Sequence, residues 1–329
     1  MHIFVRVLAG LLAAVLGCAG TVLVVLGLWP DLQASSAWLA ILGALIPYGI
    51  GCWIVVAVLI IIATRRAGRL IALLPMVALL LHLVWAHDYI PGQAPAGTTS
   101  GLRIAAFNGL YGRADPTETA AQLAAADPDV IVFLEASRPQ MDAAPVTRLL
   151  ESYPHRFGTP APGFAEAGYE DAGPTFVVSK RPLGLISQID SPFDQYVLET
   201  TTRDNVPLTL IAAHPVNMLG SAQRWVDDAE TLAQAIDDQD PDQALVVIGD
   251  LNATRENLAY QIIADTGLTD AAVQAGAGWV PTYTPQPGAP PLVQIDHALV
   301  SSRVTAQAFS TFTVAGSDHR GIVVDISVG

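Results

Sequence analysis

The sequence predicts a mixed α/β domain preceded by about three membrane-spanning helices. Three observations carry that reading. Charge is spread unevenly: only four of the 16 Lys and Arg, and two of the 30 Asp and Glu, precede residue 100. From residue 100 onward, strand-like and helix-like segments alternate over a length usual for one soluble domain. Polar side chains of ligand-forming types recur where the apolar strands end.

In chain order, residues 1–88 form the membrane region, with apolar stretches at about 3–29, 38–63 and 70–87. The first two are long enough to span a bilayer; the third is shorter and contains Pro75 and His82. A signal peptide accounts poorly for the first, because its run exceeds an ordinary h-region and a second long run follows. Two crossings plus a re-entrant or interfacial third segment is the alternative. Arg6 precedes the first stretch, the loop PDLQASS after it has no Lys or Arg, and Arg65, Arg66 and Arg69 separate the second and third. With basic residues kept cytoplasmic, three crossings put the rest of the chain outside, and two leave it inside. The expectation is a multi-pass cell-membrane protein with an extracytoplasmic domain, the bilayer being the partner of its N-terminal helices. Cys18 and Cys52 both lie in the membrane region, so the soluble part has no disulfide.

Residues 89–101, YIPGQAPAGTTSG, read as a linker. The domain at 102–329 carries 12 of the 16 Lys and Arg and 28 of the 30 Asp and Glu, a net charge of −16. Such a charge opposes capture of long polyanions unless a local basic patch intervenes, although solubility alone also accounts for it. LRIAAF, DVIVFL, PTFVVSK, VPLTLIAAH, ALVVIGD, VQIDHALVS and GIVVDIS read as strands. PTETAAQLAAA reads as a helix between the first two. Two more helices are expected near 220–238 and 254–266, the former with Trp225, Ala229, Leu232 and Ile236 on one face. Residues 158–173 read as a long loop.

Within VQIDHALVS, alternation puts Ile295, His297 and Leu299 on one face and Asp296, Ala298 and Val300 on the other. A carboxylate among core residues is costly unless something pairs with it. The other candidates sit at strand ends, where α/β proteins collect ligand sites. They are Asn108 in FNG, Glu135 in FLEAS, His214 and Asn217 in AAHPVN, Asp250 and Asn252 in VVIGDLNAT, and Asp318 and His319 in GSDHRG. Singly, each has an ordinary reading as a turn residue, a cap or a satisfied core pair. Their recurrence in order is what points to a site.

GDLNAT, QIDHALVS and GSDHRGIVVDI, with AAFNG, VIVFLEAS, LIAAHPVN, FVVSKRPLG and PTYTPQP around them, resemble the endonuclease/exonuclease/phosphatase superfamily. These are the metal-dependent phosphodiesterases related to DNase I, neutral sphingomyelinases and inositol-polyphosphate phosphatases. The resemblance covers about residues 102–327. It implies a DNase I-like four-layer sandwich of two mixed β-sheets flanked by helices. It also implies a phosphoesterase cleaving a phosphodiester or phosphomonoester by in-line attack of an activated water. Glu135 would be the main ligand of Mg²⁺ (or Mn²⁺), with Asn108 and Asp318 nearby. Asp250 would orient or deprotonate the water, Asn252 would donate to a phosphoryl oxygen, and His214 would face the phosphate. Asn217 would lie on the substrate side. Arg224 resembles a basic family position, with structural pairing as its first reading and phosphate contact as its second. Asp296 would grip His319, which acts as a general base or, protonated, as a cation.

Two departures stand out. No acid follows Asn108, where some nucleases have one, so a second metal contact there is in doubt. Gly321 replaces a common Pro. His297 should face away from the site, and His82, His87 and His155 are read as structural. The alternatives are a catalytically silent binding or scaffold module of the same fold, a nuclease acting on extracellular nucleic acid, and a transporter whose helices do the work. The loop at 158–173 and GAGWVPTYTPQPGAPP shape the pocket without naming its substrate, and no protein partner is inferable.

Overall fold

The computed structural model describes residues 2–64, 70–95, 101–163, 173–286 and 288–329. Arg65, Arg66 and Arg69, residues 96–100 of the linker and residues 164–172 of the predicted loop lie outside the described residues. The chain divides into two compact units. One comprises residues 1–89 with 218–223 and 256–258; the other comprises 90–217, 224–255 and 259–329.

The first unit contains α1 (His2–Leu28), α2 (Ala37–Gly43), α3 (Gly49–Ala63) and α4 (Leu73–Trp85). Three segments, Ile3–Leu28, Ile46–Ala63 and Leu70–Tyr89, are long and apolar enough to cross a bilayer. The stretch expected at 38–63 is not one helix. It stops after Gly43 and resumes through a 3₁₀ turn, Ile46–Tyr48, before α3. Pro47 explains the break, because it lacks an N–H and its ring excludes a helical carbonyl one turn earlier. Pro75 lies in the first turn of α4, where its missing N–H has no intrahelical acceptor to lose. His82 is buried and makes an edge contact with Trp85 at 5.2 Å. A Cβ at Gly49 would come within 2.3 Å of its ring, so only glycine admits this packing.

In the second unit the strands are β1 (Gly101–Asn108), β2 (Val130–Leu134), β3 (His155–Phe157), β4 (Thr175–Ser179), β5 (Gly184–Gln188) and β6 (Tyr196–Thr201). They continue with β7 (Pro207–Ala213), β8 (Leu245–Asp250), β9 (Thr269–Asp270), β10 (Asp296–Val300), β11 (Val304–Thr313) and β12 (Arg320–Val328). The helices are α5 (Pro116–Ala126), α6 (Arg138–Met141), α7 (Ala144–Leu150), α8 (Ala222–Asp237), α9 (Leu258–Ala264) and α10 (Ala271–Gln274). One six-stranded sheet runs β11-β12-β1-β2-β4-β3 and the other β5-β6-β7-β8-β10-β9. Both are mixed.

Each sheet has a parallel pair at its centre, β1 with β2 and β7 with β8, joined through α5 and α8 respectively. An antiparallel strand flanks each pair: β12 beside β1, and β10 beside β8. The ends of β1, β2, β7 and β8 therefore meet the starts of β10 and β12. Ile104, Ala106, Val132, Leu198, Leu210, Val246, Ile248, Ala298 and Val300 fill the core cluster shared by the two sheets. The opposite face of β1 and β2 packs Phe107, Ile131 and Phe133 with Leu123 of α5 and Val146 of α7. Trp225, Ala229, Leu232 and Ile236 of α8 are all buried, as their spacing requires. The architecture is the expected pair of mixed sheets flanked by helices.

β3, β5, β6, β9 and β11 are absent from the sequence reading. β11 reads VTAQAFSTFT, polar at most alternate positions, because it is an edge strand with a wet face. β5 is nearly all exposed and so lacks a hydrophobic signature. The strand expected at 293–301 begins only at Asp296.

Candidate active site

Asn108 closes β1 and is fully buried. Its amide nitrogen donates to Glu135 Oε1 and to Asp250 Oδ2, both at 3.0 Å, while its oxygen accepts the Leu110 N–H at 2.9 Å. One amide thus joins carboxylates from the two sheets. Glu135 follows β2 directly, and its other oxygen accepts the Tyr111 N–H at 2.8 Å. Burial pushes the Glu135 carboxyl up to about 7, against the hydrogen bond from Asn108.

Asp250 ends β8. The glycine of the GD pair is required by close approach, since a Cβ at Gly249 would lie 1.9 Å from the Ala213 carbonyl of neighbouring β7. Asp250 Oδ1 accepts the Asn252 N–H at 2.9 Å. Burial raises the Asp250 carboxyl, with the nearby His319 opposing. The Asn252 side chain donates to the Pro215 carbonyl at 2.9 Å, tying the segment after β8 to the one after β7. His214, just past β7, is buried with its Nε2 at 4.0 Å from Asp250 Oδ2. Among the described residues, neither ring nitrogen of His214 has a hydrogen-bond partner. Burial, with the charge of His319, brings it down to about 4 despite Asp250, so it is neutral at pH 7.

Asp296 opens β10 and is the ladder partner of Asp250. Its Oδ2 lies 2.9 Å from His319 Nδ1, so the buried carboxylate does have an imidazole partner. His319 Nε2 turns to Asp250 Oδ2 at 3.7 Å and to Asp318 Oδ1 at 3.9 Å. Burial alone would lower His319; Asp296 and Asp250 outweigh it and carry the ring up to about 10. Asp318 is raised by burial. His297 faces the other way, against Asp270 Oδ2 at 3.0 Å and the Ala253 carbonyl at 3.1 Å.

Eight of the ten expected residues, Asn108, Glu135, His214, Asp250, Asn252, Asp296, Asp318 and His319, are joined by these contacts. Asn217 is half-buried, three residues beyond His214. Arg224 is exposed on the first turn of α8. Six non-glycine residues among those described have left-handed backbones, and four of them, Leu110, Tyr111, Glu135 and Asn252, are at this cluster. Such conformations cost about 1–3 kcal/mol each and persist where surrounding structure imposes them. Sequence reasoning passed over three participants. Tyr111 contributes its N–H to Glu135. Ser317 donates to the Asn108 carbonyl at 2.8 Å and accepts the His319 N–H at 3.0 Å. Tyr283 lays its ring 5.0 Å from that of His319. Ser317 and Tyr283 lie inside GSDHRG and PTYTPQP, so adjacency to a motif was their available signal.

The model of the Endonuclease/Exonuclease/phosphatase family matches residues 105–319, from β1 to His319. The chain belongs to that family. A solved endonuclease/exonuclease/phosphatase from Beutenbergia cavernae is 22% identical, with 70% of this chain and 72% of that one covered and a TM-score of 0.52. A humanized D. rerio TDP2 is 17% identical over 69% of this chain and 99% of its own, also with a TM-score of 0.52. The human Nocturnin catalytic domain, solved with a bound sulfate anion, is 17% identical over 70% and 94%, with a TM-score of 0.51. No curated protein sequence matches significantly. Members of the endonuclease/exonuclease/phosphatase family are generally phosphoric ester hydrolases and commonly use divalent metals.

The residues present fit a divalent cation. Four carboxylates, Glu135, Asp250, Asp296 and Asp318, crowd one imidazole. Asp296 Oδ1 and Asp318 Oδ1 are buried with no hydrogen-bond partner among the described residues. Buried orphan carboxylate oxygens are expensive, and a cation offsets them. Ligand atoms of Asp250, Asp296 and His319 lie within 4.8 Å of one another. Asp296 and His319 already share a hydrogen bond at 2.9 Å, however, and a hard ion prefers oxygen to imidazole nitrogen.

Proposed function

We propose that the protein is a membrane-tethered, divalent-metal-dependent phosphoesterase that hydrolyses a phosphodiester or phosphomonoester by in-line attack of water. One observation carries the reading: the Asp296–His319 pair, at 2.9 Å, turns its free edge toward Asp250 inside the cluster that also holds Asn108 and Glu135. Mg²⁺ is the proposed cofactor, with Mn²⁺ as the substitute, held by Glu135 and Asp318 beside the Asn108 amide. When bound, such an ion neutralises charge on phosphoryl oxygens and orients the ester.

The chain's own groups divide the remaining work. Asp250, raised by burial and fixed by the Asn252 N–H, takes the proton of the attacking water. His319, carried to about 10, is protonated at neutral pH and faces the phosphoryl group as a cation; Asp296 accepts from its Nδ1 and holds the ring's orientation. Neutral His214 and the Asn252 amide donate to phosphoryl oxygens. Asn217 lines the substrate side. The helices of the first unit are proposed to hold the domain at a bilayer, on the extracytoplasmic side.

The full chain in detergent is expected to hydrolyse bis-p-nitrophenyl phosphate with Mg²⁺, to stop on adding EDTA and to recover with Mg²⁺ or Mn²⁺. Glu135→Gln should weaken Mg²⁺ binding in calorimetric titration by more than the roughly 10–100-fold usual for losing an outer-shell partner. Turnover undiminished by EDTA would overturn the metal-dependent reading. Sphingomyelin, phosphoinositides, DNA and RNA tried in turn then identify the substrate class. For the topology, a C-terminal reporter active only outside the cytoplasm should give signal; signal only from a cytoplasmic reporter would mean an even number of crossings.

A further inference from the structure

Asp296 and His319 come from different sheets. Asp296 opens β10 and His319 immediately precedes β12, so no ladder aligns one with the other. The segment Thr282–Thr284 runs between them. Thr282 is fully buried, and its hydroxyl oxygen accepts two N–H groups, from Ile295 at 3.2 Å and Asp296 at 3.1 Å. Its carbonyl accepts the Arg320 N–H at 2.6 Å. One residue on, Tyr283 bridges to His319. Thr284 then donates its N–H to the Asp318 carbonyl at 3.0 Å. A hydroxyl with no exposure is tolerable only when bonded, and here it replaces a ladder acceptor at the point where β10 begins.

We propose that Thr282 is a positioning residue for the Asp296–His319 pair: its hydroxyl sets the backbone of Asp296, and its carbonyl sets the backbone beside His319. The proposal rests on the hydrolytic reading of that pair. Thr282 touches no reacting atom and acts through the register of the two motif segments.

Thr282→Val keeps the shape and removes the acceptor. In the full chain, with Mg²⁺ and bis-p-nitrophenyl phosphate, it is expected to lower kcat about tenfold to a hundredfold, the cost of a misplacement near 1 Å, and to leave KM within about twofold. Thr282→Ser restores the hydroxyl and should return kcat to within about threefold of the parent. Tm, read alongside, reports the structural share. A purely structural role would lower Tm in Thr282→Val while leaving kcat per folded molecule at the parental value, and that result overturns the proposal. So does a kcat loss that Thr282→Ser fails to repair, or a loss confined to KM. If Thr282→Val does not fold, Thr282→Ala against Thr282→Ser makes the same comparison. If neither folds while Thr282→Ser does, the role is structural and the proposal fails. A parent with EDTA-sensitive turnover and an unaffected Thr282→Val defeats the positioning role alone; a parent that hydrolyses nothing defeats the hydrolytic reading and this proposal with it.

Discussion

His319→Gln is expected to lower kcat for phosphoester hydrolysis by about 10²–10³-fold, with a much smaller change in KM. On the proposed reading the ring acts on charge that grows in the transition state, so its loss should fall on kcat. Gln leaves a polar side chain near Asp296, whereas Ala would strand a buried carboxylate and confuse lost chemistry with lost folding. Asp296→Asn removes the orienting charge and should also cost activity, though less. The double variant should lose no more than His319→Gln alone, because an orienting group has nothing to orient once the ring is gone. Steady-state kinetics on the three variants, with unfolding curves as a control, supply the test. Independent, additive losses would show that Asp296 does not act through His319 and that the 2.9 Å contact does not orient the ring.

The pair was legible in the sequence for a physical reason. Period-2 alternation put Asp296 on the same face as Ala298 and Val300, and those two do line the core between the sheets. A carboxylate there demands a partner; that the partner is His319 of GSDHRG came from the family resemblance. Asn108, Glu135, His214 and Asp250 were legible because each stands where an apolar run stops. What could not be read was backbone. The Tyr111 N–H on Glu135 depends on Leu110 and Tyr111 adopting left-handed conformations that neither residue favours. No residue type announces that. Thr282 lies inside PTYTPQP, but nothing in that segment marks its hydroxyl as the acceptor of two backbone N–H groups. Among the strands, β11 stayed hidden because an edge strand needs only half an apolar pattern. The split between α2 and α3 was available in principle from Pro47, but the hydropathy of residues 38–63 is continuous across it.

Asp270→Ala is expected to destabilise the second unit by about 3–5 kcal/mol, the usual cost of stranding a buried partner. Asp270 ends β9 and caps α10, with Oδ1 accepting the Ala272 N–H at 2.8 Å. Its Oδ2 accepts from Arg255 Nε at 3.1 Å, Tyr260 Oη at 2.9 Å and His297 Nδ1 at 3.0 Å. Burial alone would raise this carboxyl; Arg255 and His297 overcome it and hold it well below the usual carboxylate range. A depressed folded-state value means the unfolded chain binds the extra proton. The contribution is therefore complete above the unfolded value of about 3.9 and is lost as pH falls from there through the folded value. Denaturant unfolding should show the parent losing stability on acidification below about pH 4, and Asp270→Ala should lack that component. The cost of breaking the cluster is not its net worth, because the large term is the charge left behind. Arg255→Met added to Asp270→Ala should consequently recover part of the loss. If the single variant unfolds within about 1 kcal/mol of the parent, the carboxylate is not the anchor of β9, α10 and His297. The fixed placement of β10, and with it of Asp296, would then have to come from the sheet ladder alone.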